Sequence, residues 1–329
     1  MDRPRVTVVV PARNEESSLD ECLDSIRRQT ETSLQIIVVD GVSDDGTVDL
    51  VRRHAAEDDR VELLHNPNRT VPHALNVALE KATADVLVRV DAHATVPPHY
   101  VARAADLLES GRWSGVGGVK RGIGRTRAGQ AVAAAMASRF GVGGSVYHYG
   151  TEPQEVDHVP FGAYPVDLAR AVGGWGEEFT VNQDFEFDQR IRSTGKPLLF
   201  DPALVIDWEC RQSVRDLFRQ YKRYGKGKVK VAARHPRSVR LRHLLPPALV
   251  AYGGALGIAA LLPGIDRRLL VTAAAPYPLA VLAGSALTAG EVADPVARVY
   301  LPGAFMAMHV GWGLGFWEGV YTEARTRAG

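Results

Sequence analysis

Only two cysteines, Cys22 and Cys210, occur in 329 residues, so no disulfide framework holds this chain and a reducing compartment is the simpler expectation. Net charge is nearly absent as well. Thirty-nine Lys and Arg against 38 Asp and Glu leave a formal +1, which supplies no bulk field for nucleic acid. A secretory signal is also missing from the start, because Met1 to Arg5 leads into Val6-Thr7-Val8-Val9-Val10, too short for a signal core and stopped by Pro11. At 46% hydrophobic and 23% charged, the composition excludes a disordered chain, a collagen-like repeat and a small disulfide scaffold. The totals conceal an asymmetry. Nearly all acidic residues precede about residue 220, and the last 85 or so residues are largely apolar.

In the acidic part, short β-branched runs alternate with helical spacing. Val6 to Val10 reads as a buried strand. Glu15 to Gln29 carries Leu19, Cys22, Leu23 and Ile26 at helical intervals. Gln35 to Val39 is a second strand, Thr47 to Ala56 a helix, and Val61 to Leu64 a third strand. Residues 72–81 make another helix, and Ala84 to Val90 a fourth strand. This alternation predicts an α/β fold with a parallel sheet covered on both faces. Ligands of such sheets sit beyond the carboxyl ends of the strands. Pro11–Glu15, Asp40–Gly46 and Asp91–His93 are therefore expected around one crevice.

The apolar part has three charge-free spans, Leu244 to Leu262, Leu269 to Gly290 and Val299 to Trp317, each near the roughly 20 residues that cross a hydrocarbon core. Buried helices of a large soluble domain are the alternative, and re-entrant helices a further one for the first two. Just upstream, Arg219, Lys222, Arg223, Lys226, Lys228, Lys230, Arg234, Arg237, Arg240 and Arg242 occur with no acid among them. A basic run beside a membrane span predicts contact with anionic headgroups and a cytoplasmic N-terminal domain. The expected division is a catalytic domain at 1–218, a basic juxtamembrane segment at 219–243 and a membrane domain of about three transmembrane helices at 244–329.

Four segments carry chemistry. Asp40 closes the second strand ahead of a Gly-Val-Ser-Asp-Asp-Gly-Thr loop, where a carboxylate can accept bonds from a ribose hydroxyl or a base N–H. Read alone, that loop is equally an Asp-Gly turn with Ser43, Asp44 or Asp45 as a helix cap. Asp91 and His93, one residue apart in extended backbone, point the same way and can reach one divalent ion, Mn²⁺ somewhat better than Mg²⁺. The plain alternative is a cap or surface turn. Asp184 stands at the start of a helix from Phe185 to Arg192, either as a dipole partner or as a general base, being ionised at neutral pH. Gln220, Arg223 and Tyr224 share one helix face, where the arginine can pair bidentately with a diphosphate. Without other context they are basic surface.

Taken in order, these segments resemble the family 2 inverting glycosyltransferases. Residues 9–16, Val-Val-Pro-Ala-Arg-Asn-Glu-Glu, are similar to that family's nucleotide-binding start, and Val-Asp-Gly-Val-Ser-Asp-Asp-Gly-Thr to its second nucleotide loop. Asn76 falls where the family has an asparagine. Arg-Val-Asp91-Ala-His93-Ala resembles the Asp-X-Asp metal motif with His93 as the second ligand. Asn-Gln-Asp184 resembles the Glu-Asp motif with Gln183 in place of the acid, and Gln220 to Tyr224 resembles Gln-X-X-Arg-Trp with a tyrosine last. The likeness covers roughly residues 4–230. Asp-Ala-His, Phe161-Gly162-Ala163-Tyr164 and the apolar tail look most like the ExoA-type enzymes of succinoglycan biosynthesis.

The resemblance implies a GT-A fold, a mixed Rossmann-like sheet, a nucleotide-diphosphate sugar donor (UDP-sugars foremost), a divalent cation and a lipid-linked saccharide acceptor at the inner membrane. It assigns Pro11, Ala12, Asn14, Glu15, Asp40, Asp44, Asn76 and Asp91 to the donor, Asp91 and His93 to the metal, and Asp184 to proton abstraction. Phe161, Gly162, Tyr164, Trp175, Gln220, Arg223 and Tyr224 fall to the acceptor and diphosphate, with Tyr164 and Trp175 equally readable as core. The rival readings are a polyprenyl-phosphate monoglycosyl transferase and a non-catalytic membrane scaffold that binds nucleotide sugars. No feature speaks to oligomeric state.

Overall fold

The structure, a computed structural model, describes residues 4–328. Its elements in chain order are β1 (Val6–Ala12), α1 (Leu19–Arg27), β2 (Leu34–Asp40), α2 (Thr47–Glu57), β3 (Val61–His65), α3 (Val71–Lys81), β4 (Val86–Arg89), β5 (Ala94–Thr95), α4 (Tyr100–Glu109) and β6 (Gly115–Ile123). They continue with α5 (Arg127–Ala137), α6 (Arg139–Val142), β7 (Gln154–Val156), β8 (Ala163–Pro165), α7 (Val166–Ala171), α8 (Gln183–Arg192) and β9 (Leu198–Glu209). The remainder is helical: α9 (Val214–Arg234), α10 (Leu241–Ala259), α11 (Arg267–Ala274), α12 (Pro276–Thr288) and α13 (Leu301–Ala328).

The chain divides into two units. One runs to Arg121 and resumes from Tyr149 to Glu209; the other comprises Gly122–His148 and everything from Cys210 onward. Residues 122–148, expected within the first domain, are thus grouped with the C-terminal helices.

In the first unit, Val6, Val8, Val9 and Val10 of β1 are fully buried. β1 lies between β2 and β4, parallel to both, and β3 adds a parallel edge beside β2. A strand buried on both faces needs apolar residues at every position, which is why the opening run does not alternate. The full order is β3-β2-β1-β4-β8-β6-β9-β5, with β7 on β9. The expected parallel pairing holds over the first four of these. Beyond β4, β8 pairs antiparallel with both β4 and β6, and β9 antiparallel with β5 and β7. Antiparallel neighbours require no crossover helix, so no alternating pattern announces them. The first helix starts at Leu19 rather than Glu15, because Glu15–Ser18 form a turn in which Ser18 N donates to the Glu15 carbonyl at 3.0 Å.

Under the sheet's antiparallel half, Trp175 stacks on Phe187 (centroids 4.2 Å, 15°) and meets Tyr164 edge-on. Trp175 and Tyr164 are each 1% exposed. Both aromatics are core residues here, and neither offers a face to a sugar ring.

In the second unit, Ser213 caps α9 by accepting from Asp216 N at 3.1 Å. Along α13, Gly311, Gly315 and Gly319 recur every fourth residue and lie against Phe218, Lys222 and Lys226 of α9 in the same chain direction. A Cβ at Gly315 would come within 1.9 Å of the Lys222 carbonyl oxygen. The two backbones therefore touch, as small-residue helix pairs do. Glu318 then reaches Lys222 and Lys226, 2.8 Å from each ammonium. On another face, Trp312 Nε1 donates to the His243 carbonyl at 3.2 Å, the group that Pro247 leaves without a helical partner in α10. Gly315→Ala is expected to lower thermal stability by about 1–3 kcal/mol through forced separation of α9 and α13. A melting curve in detergent unchanged from the parent would dismiss the close-contact account.

Of the three expected spans, one helical stretch among the described residues, Arg267–Glu291, which comprises α11 and α12, is long and apolar enough to cross a membrane. α10 carries two prolines within it, and the third span is seated on the charged α9 rather than standing alone. α10 to α12 expose large apolar side chains, Leu245, Ile258, Leu261, Leu269, Leu279 and Leu287 among them.

Candidate active site

The carboxyl ends of β1, β2 and β4 meet loops that enclose a cavity of about 110 Å³. Pro11 and Ala12 enter it from the end of β1, Glu15 from the loop that follows, Gly41 from just beyond β2, and Asp91 and His93 from beyond β4. The first two loops are knitted together. Asn14, in the left-handed region at φ 56, donates its N–H to Ser43 Oγ at 2.9 Å and accepts from Asp44 N at 3.0 Å. Glu15 N donates to Thr47 Oγ1 at 2.8 Å.

Glu15 ties the first loop to the third, with His93 Nδ1 at 3.0 Å from Glu15 Oε1. Burial disfavours the His93 imidazolium, yet the bond to Glu15 and the charge of Asp91 outweigh it, so its pKa is raised. Among the described residues no three His, Cys, Asp or Glu side chains converge as a metal cluster. Asp91 and His93, the two residues that motif reading paired, both line the cavity. A carboxylate with an imidazole is a donor set that suits Mn²⁺, whose other ligands would come from a diphosphate.

Arg89, which sequence reading passed over, organises the site. Its guanidinium is buried at the end of β4. Arg89 Nε donates to Asp91 Oδ1 at 2.8 Å, and Nη1 donates to Asp184 Oδ1 and Oδ2 at 2.5 and 2.6 Å. Asp184, the second residue of α8, follows Asn182 in the left-handed conformation at φ 60. Burial works against the Arg89 charge, but Asp184 and Asp91 more than offset it and its pKa is raised. Phe161, also left-handed at φ 51, sets its ring 5.4 Å from that guanidinium and 4.9 Å from Lys120 Nζ.

Beneath α8, the buried Asp188 accepts from His158 Nδ1 at 2.6 Å, Val159 N at 2.9 Å and Tyr164 Oη at 2.8 Å. Gly162 lets that tyrosine approach, since a Cβ there would lie 2.4 Å from its hydroxyl.

Other expected residues are placed differently. The Asp40 carboxylate accepts from Val42 N at 3.0 Å and Ser43 N at 3.3 Å, holding its own loop. It is 2% exposed and does not line the cavity, whereas Asp91 and Asp184 are joined through Arg89. Asp44 is exposed and likewise outside the lining. Asn76 spends its amide on a neighbouring turn: Nδ2 donates to the Trp175 carbonyl at 2.9 Å and to Glu177 Oε1 at 3.1 Å, and Oδ1 accepts from Trp175 N at 2.8 Å. It anchors α3 to the 173–177 turn rather than facing the cavity. Conversely, Asn66, Arg69 and Thr70 line the cavity unanticipated, Arg69 with φ 62. Asn-Pro-Asn-Arg-Thr at 66–70 reads locally only as a turn.

Gln220, Arg223 and Tyr224 belong to the second unit. Gln220 Nε2 donates to Tyr224 Oη at 3.0 Å. Arg223 faces a cavity of about 490 Å³ with Arg211, Arg219, Lys222 and Lys226, against Asp216 and Glu318. Five cations and two acids leave that cavity basic.

Comparison with known proteins agrees with this geometry. The glycosyl transferase family 2 model matches residues 7–156. The succinoglycan biosynthesis protein ExoA of Rhizobium meliloti is 32% identical over 317 residues, covering 94% of this chain and 93% of that protein. A dolichyl N-acetyl-alpha-D-glucosaminyl phosphate 3-beta-D-2,3-diacetamido-2,3-dideoxy-beta-D-glucuronosyltransferase of Methanococcus voltae is 25% identical over 235 residues, 68% of this chain and 72% of its own length. Among solved structures, a mannosyltransferase of Pyrobaculum calidifontis in complex with GDP-Man and Mn²⁺ superposes with a TM-score of 0.66 at 24% identity, covering 98% of this chain and 88% of that one, and so shares the GT-A-like mixed-sheet fold. With a strand-end cavity, a carboxylate pair bridged by one arginine, and a full-length likeness above 30% identity, this chain belongs to the family 2 glycosyl transferases.

Proposed function

We propose that this chain is a membrane-bound, inverting glycosyltransferase that moves a sugar from a nucleotide-diphosphate donor to a hydroxyl of a lipid-linked saccharide during cell-surface polysaccharide synthesis. The single observation that carries this reading is the pair of carboxylates, Asp91 beside the strand-end cavity and Asp184 at the start of α8, joined through Arg89. Pro11, Ala12 and Glu15 border the nucleotide, with Arg69 as a further cation at the same cavity. Asp91 and His93 would hold a divalent cation, which as a Lewis acid neutralises charge on the departing diphosphate. Asp184 takes the proton of the acceptor hydroxyl as that oxygen attacks the anomeric carbon from the face opposite the leaving group. One displacement with no covalent intermediate inverts the anomeric centre.

The Methanococcus relative, whose name describes transfer to a dolichyl-phosphate-linked sugar, supports an acceptor carried on a lipid. The apolar helix Arg267–Glu291 and the exposed apolar surfaces of α10 to α12 support membrane attachment. The basic residues of α9 support a cytoplasmic position for the first unit, since cytoplasmic flanks of membrane spans are rich in Lys and Arg. Confining both partners to one surface raises the acceptor's effective concentration.

Asp91→Ala tests the donor assignment. Its binding of UDP- or GDP-sugars in the presence of Mn²⁺, followed by thermal shift, is expected to weaken by about tenfold or more. Donor binding that is indifferent to both EDTA and this substitution would overturn it.

A further inference from the structure

Arg89 sits between two groups with different tasks, and its contacts define what it does. One nitrogen, Nη1, takes both oxygens of Asp184 while Nε holds one oxygen of Asp91, 2.8 Å away. The side chain is 5% exposed, so water does not substitute for either contact. Its backbone N–H donates to the Gly162 carbonyl at 3.3 Å, and Phe161 lies 5.4 Å from the guanidinium, so the arginine is held from two sides. A single positive charge thus serves two carboxylates, one of them 95 residues further along the chain than the arginine.

We propose that Arg89 is a positioning residue for sugar transfer that couples the donor side of the site to the base. It fixes the Asp184 carboxylate relative to Asp91, and it competes with a divalent cation for the Asp91 oxygen it holds. This rests on the reading of Asp184 as the base and of Asp91 as the donor-side carboxylate. Two consequences have opposite signs. Without the guanidinium, Asp91 is fully available and a nearby positive charge is gone, so a divalent cation binds more tightly. The base carboxylate meanwhile loses the contact that aims it, and turnover falls. A role confined to stability would weaken both.

The test uses the full chain in detergent, with Arg89→Met as a neutral replacement of similar length and Arg89→Lys as one that keeps charge but cannot span both acids. Mn²⁺ alone, titrated calorimetrically, is expected to bind Arg89→Met more tightly than the parent by a factor of about 5. Its kcat should fall about 100-fold with the donor KM within about threefold. Arg89→Lys is expected to show intermediate turnover and a smaller gain in Mn²⁺ affinity. Parent-like kcat in either variant, or Mn²⁺ affinity that is unchanged or weaker in both, overturns the proposal. If Arg89→Met does not fold, Arg89→Lys decides on the same readings. The underlying reading fails separately: full turnover in Asp184→Asn removes the base without altering the Mn²⁺ competition at Asp91.

Discussion

Asp184→Asn is expected to fold like the parent and to bind donor normally, while sugar transfer falls by about a thousandfold, within the usual contribution of a positioned general base. The amide matches the carboxylate in volume, and its oxygen can still accept from Arg89 Nη1, which keeps Asp91 as a second partner. What disappears is the capacity to take a proton. Because the proposed donor contacts lie at the ends of β1 and β2 and in the 91–93 segment, affinity for the nucleotide should be unaffected. The loss should therefore fall in kcat with little change in the donor KM. The decisive measurement is steady-state transfer alongside donor binding by calorimetry. Turnover within about tenfold of the parent would remove Asp184 from the chemistry and leave the bridged pair as a structural ion pair.

Asp188→Ala is expected to cost about 3–5 kcal/mol of stability, the range found when one member of a buried polar pair is deleted. Asp188 is completely buried and accepts three hydrogen bonds, from His158, Val159 and Tyr164. Burial raises its pKa, and the bonds from His158, Val159 and Tyr164 act against that shift. Removing the carboxylate strands three donors in a dry aromatic setting, each with its own desolvation penalty. Phe187, the neighbour of Asp188 on α8, stacks on Trp175, so the helix that starts at Asp184 would lose its footing as well. Urea denaturation of the full chain at neutral pH measures the cost. Asp188→Asn, which keeps the shape and part of the bonding, should lie between parent and alanine. A cost below about 1 kcal/mol for Asp188→Ala would show that the network is not what holds α8.

The parallel half of the sheet was legible because each strand is a continuous apolar run and each helix repeats at 3.6 residues, properties contained within a few neighbours. β7, β8 and β9 were not, since antiparallel strands need no crossover helix and carry no alternating signature. Spacing and motif likeness singled out Asp91, His93 and Asp184, and the fold brings Asp91 and His93 to one cavity and Asp184 to Asp91 through Arg89, whereas Asn76 and Asp40 matched a motif but direct their polar atoms to neighbouring loops. The packing of the third apolar span was not legible for a related reason. Hydropathy records how greasy a segment is, not that its glycines press against the backbone of a charged helix.

By itself the amino-acid sequence determined the α/β alternation, the strand-end loops that frame the cavity, the basic helix before an apolar tail, and the acids that can do chemistry. All of these follow from periodicity or side-chain type within one short segment. Only the tertiary structure decided that Arg89 joins Asp91 to Asp184, that Asp188 is buried under three donors, that Trp175 belongs to the core, and that α13 lies along α9. Each of those outcomes depends on which distant residue fills the neighbouring space, and burial then dictates that every charge brought inside must find its partner there.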